Sequence, residues 1–117
     1  LSDVSKAILV HSKSEALLQL VPESRRAWHA GASYWAGETD LNTSSVGIEI
    51  AHPGHLDPRP FPPAQIAAVV ELSRDICARH AIPPARVLAH SDIAPERKAD
   101  PGEHFPWEDN AMRKRLL

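Results

Sequence analysis

The chain has 117 residues, about 43% of them apolar, which is enough for one compact core. Its formal net charge of −2 argues against broad electrostatic binding to nucleic acid or to an anionic membrane. No apolar run approaches the roughly 20 residues that cross a bilayer, and the start of the chain has no signal-like segment. The single cysteine, Cys77, excludes an internal disulfide. We therefore expect residues 1–117 to form a single domain.

Three short apolar runs in the first half of the chain predict β-strands. Residues 7–10 and 17–21 are predicted to pair across a turn, and residues 46–50 predict a central strand. The segment between them, residues 22–45, is rich in small and aromatic residues and has no regular pattern. Irregular segments of this length inside a compact domain are usually functional.

The second half of the chain predicts helix, strand and helix. Residues 64–80 place apolar side chains at helical spacing, with Pro62 and Pro63 at the start and Pro83 beyond the end. Residues 86–89 predict a strand that delivers His90, and residues 107–117 predict a short terminal helix. This order of elements favours an α/β fold, with helices packed on a mixed central sheet.

Glu49 interrupts the apolar strand predicted for residues 46–50. If its side chain points inward, poor solvation raises the carboxyl pKa toward the value that suits a general base. Alternatively, Glu49 points to solvent from the other face of the strand. The pattern alone leaves both alternatives open.

A second candidate site follows the strand predicted for residues 86–89. His90 and Asp100 offer an imidazole and a carboxylate, which are good zinc ligands, and catalytic zinc usually takes three protein ligands and a water. Lys98 could stabilise an oxyanion beside such a metal. The alternative is a solvated loop whose charges form weak local ion pairs.

The stretch RRAWHAGASYWAG, residues 25–37, places aromatic groups among small residues. Trp28 is a flat platform suited to a sugar face or a peptide plane, or else a cover for the core. His29 could line a cleft or be a hydrogen-bonded structural histidine. The other histidines are interpreted as surface or structural residues: His11, His52, His55, His80 and His104.

Four longer segments occur in a telling order and spacing: LVPESRRAWHAGASYWAG, NTSSVGIEI, FPPAQIAAVVELSRDICARHAIPP and HSDIAPERKADPGEHFPW. Together they closely resemble the zinc-dependent N-acetylmuramoyl-L-alanine amidases of the amidase type 2 family, nearest to its AmiD-like branch. The family also includes AmpD and is related to the peptidoglycan recognition proteins. The resemblance covers residues 17–110 and implies hydrolysis of the amide between N-acetylmuramic acid and L-alanine in peptidoglycan.

The resemblance also implies roles for individual residues. His90 and Asp100 match two of the three zinc ligands, Glu49 the residue that activates the zinc-bound water, and Lys98 the group that stabilises the oxyanion. Three further residues match the wall of the substrate cleft: Trp28, His29 and Asn42.

The family's first zinc ligand has no counterpart in this sequence. It is a histidine at the end of an early strand, and nothing before Leu17 matches it, because His11 falls where relatives have a turn. We therefore expect the chain to begin after that strand. Three explanations are open: the segment was removed, it exists in the native protein but not in this chain, or the protein lacks it.

Two rival functions are open, and the missing ligand favours the first. The domain could bind muropeptide without cleaving it, or it could be another zinc hydrolase on the same scaffold, such as a phage endolysin with altered bond specificity. The family branch favours the bacterial cell envelope, periplasmic or extracellular, over the cytoplasm.

Overall fold

A computed structural model describes residues 7–10, 17–52, 59–102 and 105–107. The terminal helix predicted for residues 107–117 lies outside these ranges, apart from Trp107, as do three of the histidines: His11, His55 and His104. None of the described helices is long and apolar enough to cross a membrane.

The described strands form a mixed three-stranded sheet. Strands β1 (Ala7–Val10), β2 (Leu17–Gln19) and β3 (Gly47–Ile50) lie in the order β2-β1-β3. The β1–β2 pair is antiparallel, as predicted, and the β1–β3 pair is parallel. The prediction that residues 46–50 form the central strand is wrong for this sheet, because β1 provides the backbone partners on both sides.

In the described part of the chain, three α-helices accompany the sheet: α1 (Leu41–Ser44), α2 (Pro63–His80) and α3 (His90–Ile93). Helix α2 begins at a proline, whose missing N–H costs nothing in the first turn and whose φ is already helical. It ends where Ala81 takes a left-handed conformation, with φ of 53°, and donates its N–H to the carbonyl of Cys77. The helix predicted for residues 64–80 is therefore confirmed.

The core lies between α2 and β3. One cluster of buried side chains consists of Phe61, Ile66, Val69, Val70 and Phe105, and Ile48 and Ile50 of β3 pack against it. Because side chains alternate along a strand, Gly47 and Glu49 face away from α2, on the opposite side of the sheet.

The strand predicted for residues 86–89 is wrong. Pro84–Arg86 is a 3₁₀ turn, and His90 opens helix α3 instead of ending a strand. The N–H groups of Arg86 and Val87 bond to the carbonyls of Pro83 and Pro84, so they are not available to a sheet. Two successive prolines, which have no N–H and a fixed φ, favour this turn over a ladder.

Candidate functional site

His90 and Asp100 lie side by side. Nδ1 of His90 is 3.1 Å from Oδ2 of Asp100, and Nε2 is 2.8 Å from the carbonyl oxygen of Ala30. A carbonyl can only accept, so Nε2 carries the hydrogen. Nδ1 therefore faces the carboxylate with either a second hydrogen or a lone pair. If Nδ1 carries a lone pair, then Nδ1 and the Asp100 carboxylate are close enough to bind the same cation.

Hydrogen bonds at the start of α3 hold His90 and Asp100 in this arrangement. Asp92 accepts a hydrogen bond from the N–H of Ala89 at 2.8 Å, which caps the start of α3. The N–H of Ser91 bonds to the carbonyl oxygen of Asp100 at 3.1 Å and holds the two ends of the loop together. The Asp100–Pro101 peptide bond is cis.

The His90–Asp100 pair meets part of what zinc requires. Imidazole and carboxylate both suit zinc, and a zinc-bound histidine usually donates its other N–H to a carboxylate or a backbone carbonyl, as Nε2 does to Ala30. The Asp100 side chain is 62% exposed and the His90 side chain 19%, so the pair is open to solvent on one side. Within the described ranges, however, no three His, Cys, Asp or Glu side chains gather. The described residues fit zinc as two ligands of a set of three.

His29 lies against strand β3 at Gly47. A Cβ at position 47 would be 2.6 Å from Cγ and Nδ1 of His29, so only glycine admits the ring. Burial lowers the pKa of the His29 imidazole, and the nearby His90 adds to this, while a hydrogen bond to the backbone of Ser45 acts in the opposite direction. Because the pKa of the half-buried His29 side chain is lowered, its imidazole is neutral at pH 7.

Glu49 is exposed, which contradicts the inward-pointing, poorly solvated alternative. It nevertheless shares a face of β3 with Gly47, two residues away, or about 6.6 Å along a strand. Because the His29 ring covers Gly47, the Glu49 carboxylate lies on the same side of the sheet as His29.

Asn42 is buried and holds part of the backbone of residues 25–37, called the aromatic segment below. Its Oδ1 accepts the N–H of His29 at 2.9 Å and the N–H of Ala30 at 2.7 Å. Helix α1 thus uses one side chain to hold two consecutive backbone amides. Asn42 therefore positions the backbone at His29 and Ala30.

Trp28 is 83% exposed, so it does not cover the core. The Arg26 guanidinium lies over the indole, 4.2 Å from the ring centroid. Asp40 and Thr43 each bond to Arg26 at 2.9 Å and fix it in place. The hydrogen bonds from Arg26 and then from Thr43 lower the pKa of the Asp40 carboxyl, so the pair stays ionised well into acid.

Arg97 bonds to backbone groups of a distant segment. Its guanidinium reaches back along the chain to the carbonyl oxygens of Ala30, at 2.7 Å, and Ala32, at 3.0 and 3.3 Å. Lys98 is half-buried two residues before Asp100, and its N–H bonds to the carbonyl of Ala94 at 2.9 Å.

The sequence carried only a weak signal for the residues that were missed. A glycine inside an apolar strand can mark the close approach of another group, and Gly47 is such a glycine. No local pattern marks Arg97, because its partners are 65 and 67 residues away.

Two histidines that were interpreted as surface or structural residues have structural contacts. His52 stacks on Phe61 with ring centroids 4.3 Å apart, and its Nε2 is 2.7 Å from the carbonyl of Arg59. Nε2 of His80 is 2.9 Å from Glu23 Oε1. Neither contact involves His90 or Asp100.

Comparison with known proteins identifies relatives with a shared chemistry. The family model Amidase_2, described as N-acetylmuramoyl-L-alanine amidase, matches residues 2–103. N-acetylmuramoyl-L-alanine amidase AmiD of Escherichia coli (strain K12) is 50% identical over 101 residues, covering 81% of this chain and 37% of AmiD. 1,6-Anhydro-N-acetylmuramyl-L-alanine amidase AmpD of Enterobacter cloacae is 40% identical over 91 residues, covering 78% of this chain and 47% of AmpD.

A solved structure supports the same relationship. AmiD from Escherichia coli, in complex with the substrate anhydro-N-acetylmuramic acid-L-Ala-D-γ-Glu-L-Lys, superposes with a TM-score of 0.83 at 42% identity. The superposition covers 98% of this chain and 49% of that one. The fold class predicted from the sequence is thus confirmed. The chain spans less than half the length of these relatives.

Proposed function

Because the chain belongs to the Amidase_2 family of N-acetylmuramoyl-L-alanine amidases, we propose that it hydrolyses the amide between N-acetylmuramic acid and L-alanine of a peptidoglycan stem peptide. The observation that carries the proposal is the His90–Asp100 pair, with the second imidazole nitrogen already held by a backbone carbonyl. This is the arrangement of a histidine oriented to bind a metal. The family is zinc-dependent.

The metal would be held by Nδ1 of His90 and the carboxylate of Asp100. A third ligand would come from outside the described residues, since none within them completes a group of three. When bound, zinc supplies a Lewis acid for the amide carbonyl and a water of lowered pKa.

The chain's own residues would move the protons and stabilise the charge. Glu49, exposed on the His29 side of the sheet, takes a proton from the attacking water and passes it to the leaving amine. Lys98, on the same loop as Asp100, would supply an ammonium group to stabilise the negative charge that develops on the carbonyl oxygen. A neutral His29 adds no positive charge that would repel a metal cation.

The exposed indole of Trp28 would contact the substrate. Its ring is held by Arg26 and offers an apolar face at the surface, which suits stacking against a sugar ring or a peptide plane. His29 would line the cleft beside it, and Asn42 would hold the backbone N–H groups of His29 and Ala30. The related AmiD was solved with an anhydromuramyl tripeptide, and we propose a muropeptide for this chain.

The test is to incubate the zinc-loaded protein with purified muropeptides and to analyse the products by mass spectrometry. We expect a released peptide that begins with L-alanine, and we expect its release to stop with a chelator and to resume with zinc. A His90→Ala variant is the matched negative control. Intact muropeptides with a stoichiometrically zinc-loaded protein would contradict the proposal, and cleavage at another bond would identify a different hydrolase.

A second candidate function is muropeptide binding without cleavage. The observation that favours it is that the described residues supply two zinc ligands and not three, because two donors hold zinc less tightly than three. Saturable muropeptide binding that needs Trp28 but neither zinc nor turnover would support this alternative. In either case the substrate class leads us to propose the bacterial cell envelope as the location, which fractionation of the source cells can test.

A further inference from the structure

The carbonyl oxygen of Ala30 is shared between two side chains. It accepts a hydrogen bond from Nε2 of His90 at 2.8 Å and from Nη2 of Arg97 at 2.7 Å. A carbonyl oxygen has two lone pairs, so these two donors saturate it. Arg97 and His90, the proposed zinc ligand, are thus linked through the backbone at Ala30.

Arg97 also binds a second carbonyl oxygen. The same guanidinium donates to the carbonyl oxygen of Ala32 through Nη2 and Nε. Between the two carbonyls, Gly31 has a φ of 64°, and a Cβ there would lie 2.6 Å from Nη2 of Arg97. The left-handed turn at Gly31 therefore directs both carbonyls toward one guanidinium, whose planar fork fits them.

A second contact joins the aromatic segment to α3. The N–H of Tyr34 bonds to the carbonyl of Ile93 at 2.8 Å. On its other side the segment is fixed by Asn42, which accepts the N–H groups of His29 and Ala30. Arg97 provides the one charged group among these contacts, and charge-assisted hydrogen bonds are the stronger kind.

We propose that Arg97 is a positioning residue for the metal site: by holding the Ala30 and Ala32 carbonyls it keeps the aromatic segment over His90 and fixes the imidazole orientation. Arg97 touches neither metal nor substrate, and it acts through the Ala30 carbonyl. The inference rests on the proposed zinc hydrolysis for its functional consequence. Its structural part concerns residues 30–32 alone.

The test uses the full chain with Arg97→Gln, which removes the charge and the fork, and Arg97→Lys, which keeps the charge as a point donor. Hydrogen exchange of peptides covering residues 27–34 is measured on metal-free protein. Zinc affinity is then measured by competition with a chromophoric chelator. We expect Arg97→Gln to speed exchange in this segment and to weaken zinc binding about tenfold, the lower end for loss of such an outer contact. Arg97→Lys should restore part of both.

Arg79→Gln is the matched control, because Arg79, in the last turn of α2, makes comparable charged hydrogen bonds to Glu23 and Asp75. It should leave both measurements at the wild-type values. The proposal is overturned if residues 27–34 of the Arg97→Gln variant exchange hydrogen at the wild-type rate. It is also overturned if Arg79→Gln weakens zinc binding as much as Arg97→Gln does. A wild-type protein that cleaves no muropeptide counts against hydrolysis only, since exchange of the metal-free segment still decides the role of Arg97.

Discussion

Gly47 contributes to the candidate site because it has no side chain. The His29 ring occupies the space in which a Cβ at position 47 would lie, and this contact places His29 on the face of β3 that carries Glu49. Glycine in a strand is otherwise unfavourable, because it loses more backbone freedom on folding and has no side chain to pack. The gain is the close approach of an imidazole to a strand backbone.

Gly47→Ala should therefore destabilise the fold, although alanine usually favours it over glycine. We expect a loss of about 1–3 kcal/mol in the free energy of unfolding, because the added methyl group overpacks a filled space. Urea unfolding of the variant measures it. In a His29→Gly background, which removes the ring and also the Cβ that would lie 2.9 Å from the new methyl group, the same substitution should be neutral or mildly stabilising. An equal cost in both backgrounds would show that the His29 side chain is not what the methyl group meets.

Glu49 permits a sharper test of the proposed chemistry. Glu49→Gln keeps the size and the hydrogen-bonding ability but cannot accept the proton, so we expect turnover to fall at least about 100-fold while zinc content stays near the wild-type value. Turnover and metal content are measured on the same preparation.

Glu96→Gln, at an exposed position before Arg97, is the control for the loss of one carboxylate and should keep wild-type turnover. Loss of zinc in Glu49→Gln would make Glu49 a ligand or a structural acid and not a base.

At the scale of elements, Glu23 ties the segment that follows β2 to the last turn of α2. Its carboxylate lies 2.7 and 2.9 Å from Arg79 Nη1 and 2.9 Å from His80 Nε2. The Glu23 and His80 side chains are only 24% and 19% exposed, so this cluster is less screened than a surface ion pair. It joins two segments that are 56 residues apart.

Glu23→Gln should lower the thermal midpoint by about 2–5 °C, because Arg79 loses its counter-charge and His80 loses its carboxylate partner. Differential scanning calorimetry measures the shift. Asp75→Asn is the control, because Asp75 contacts the same Arg79 from an exposed position one helical turn away. Its shift should be about 1 °C or less. Equal shifts would mean that Glu23 behaves as an ordinary surface charge.

At the scale of the whole molecule, the elements that the sequence predicted well are those with a strong local pattern. Helix α2 has apolar periodicity and flanking prolines, and β1 and β3 are short apolar runs. The segment before His90 was mistaken for a strand because its apolar residues outweighed the effect of Pro83 and Pro84 on backbone pairing. Apolar composition is shared by strands and by extended loops, whereas missing N–H groups decide between them.

The candidate site was only partly predictable for a different reason. The chemistry of His90 and Asp100 is visible in the residue types, and the family resemblance marks Glu49 and Lys98. The contacts that orient these side chains are hydrogen bonds from side chains to backbone groups of distant segments, such as Arg97 to Ala30. Bonds of this kind depend on the chain path and leave no periodic trace in the sequence.

The shared carbonyl at Ala30 has a consequence for mutational tolerance. The group that orients His90 belongs to the main chain, so no substitution at position 30 can delete it. The orientation is instead vulnerable at sites that set the path of the backbone, namely Gly31, Asn42 and Arg97. A scan of positions 30, 31, 42 and 97 for loss of the proposed zinc binding should thus find its sensitive positions at Gly31, Asn42 and Arg97, while small replacements of Ala30 itself are comparatively silent.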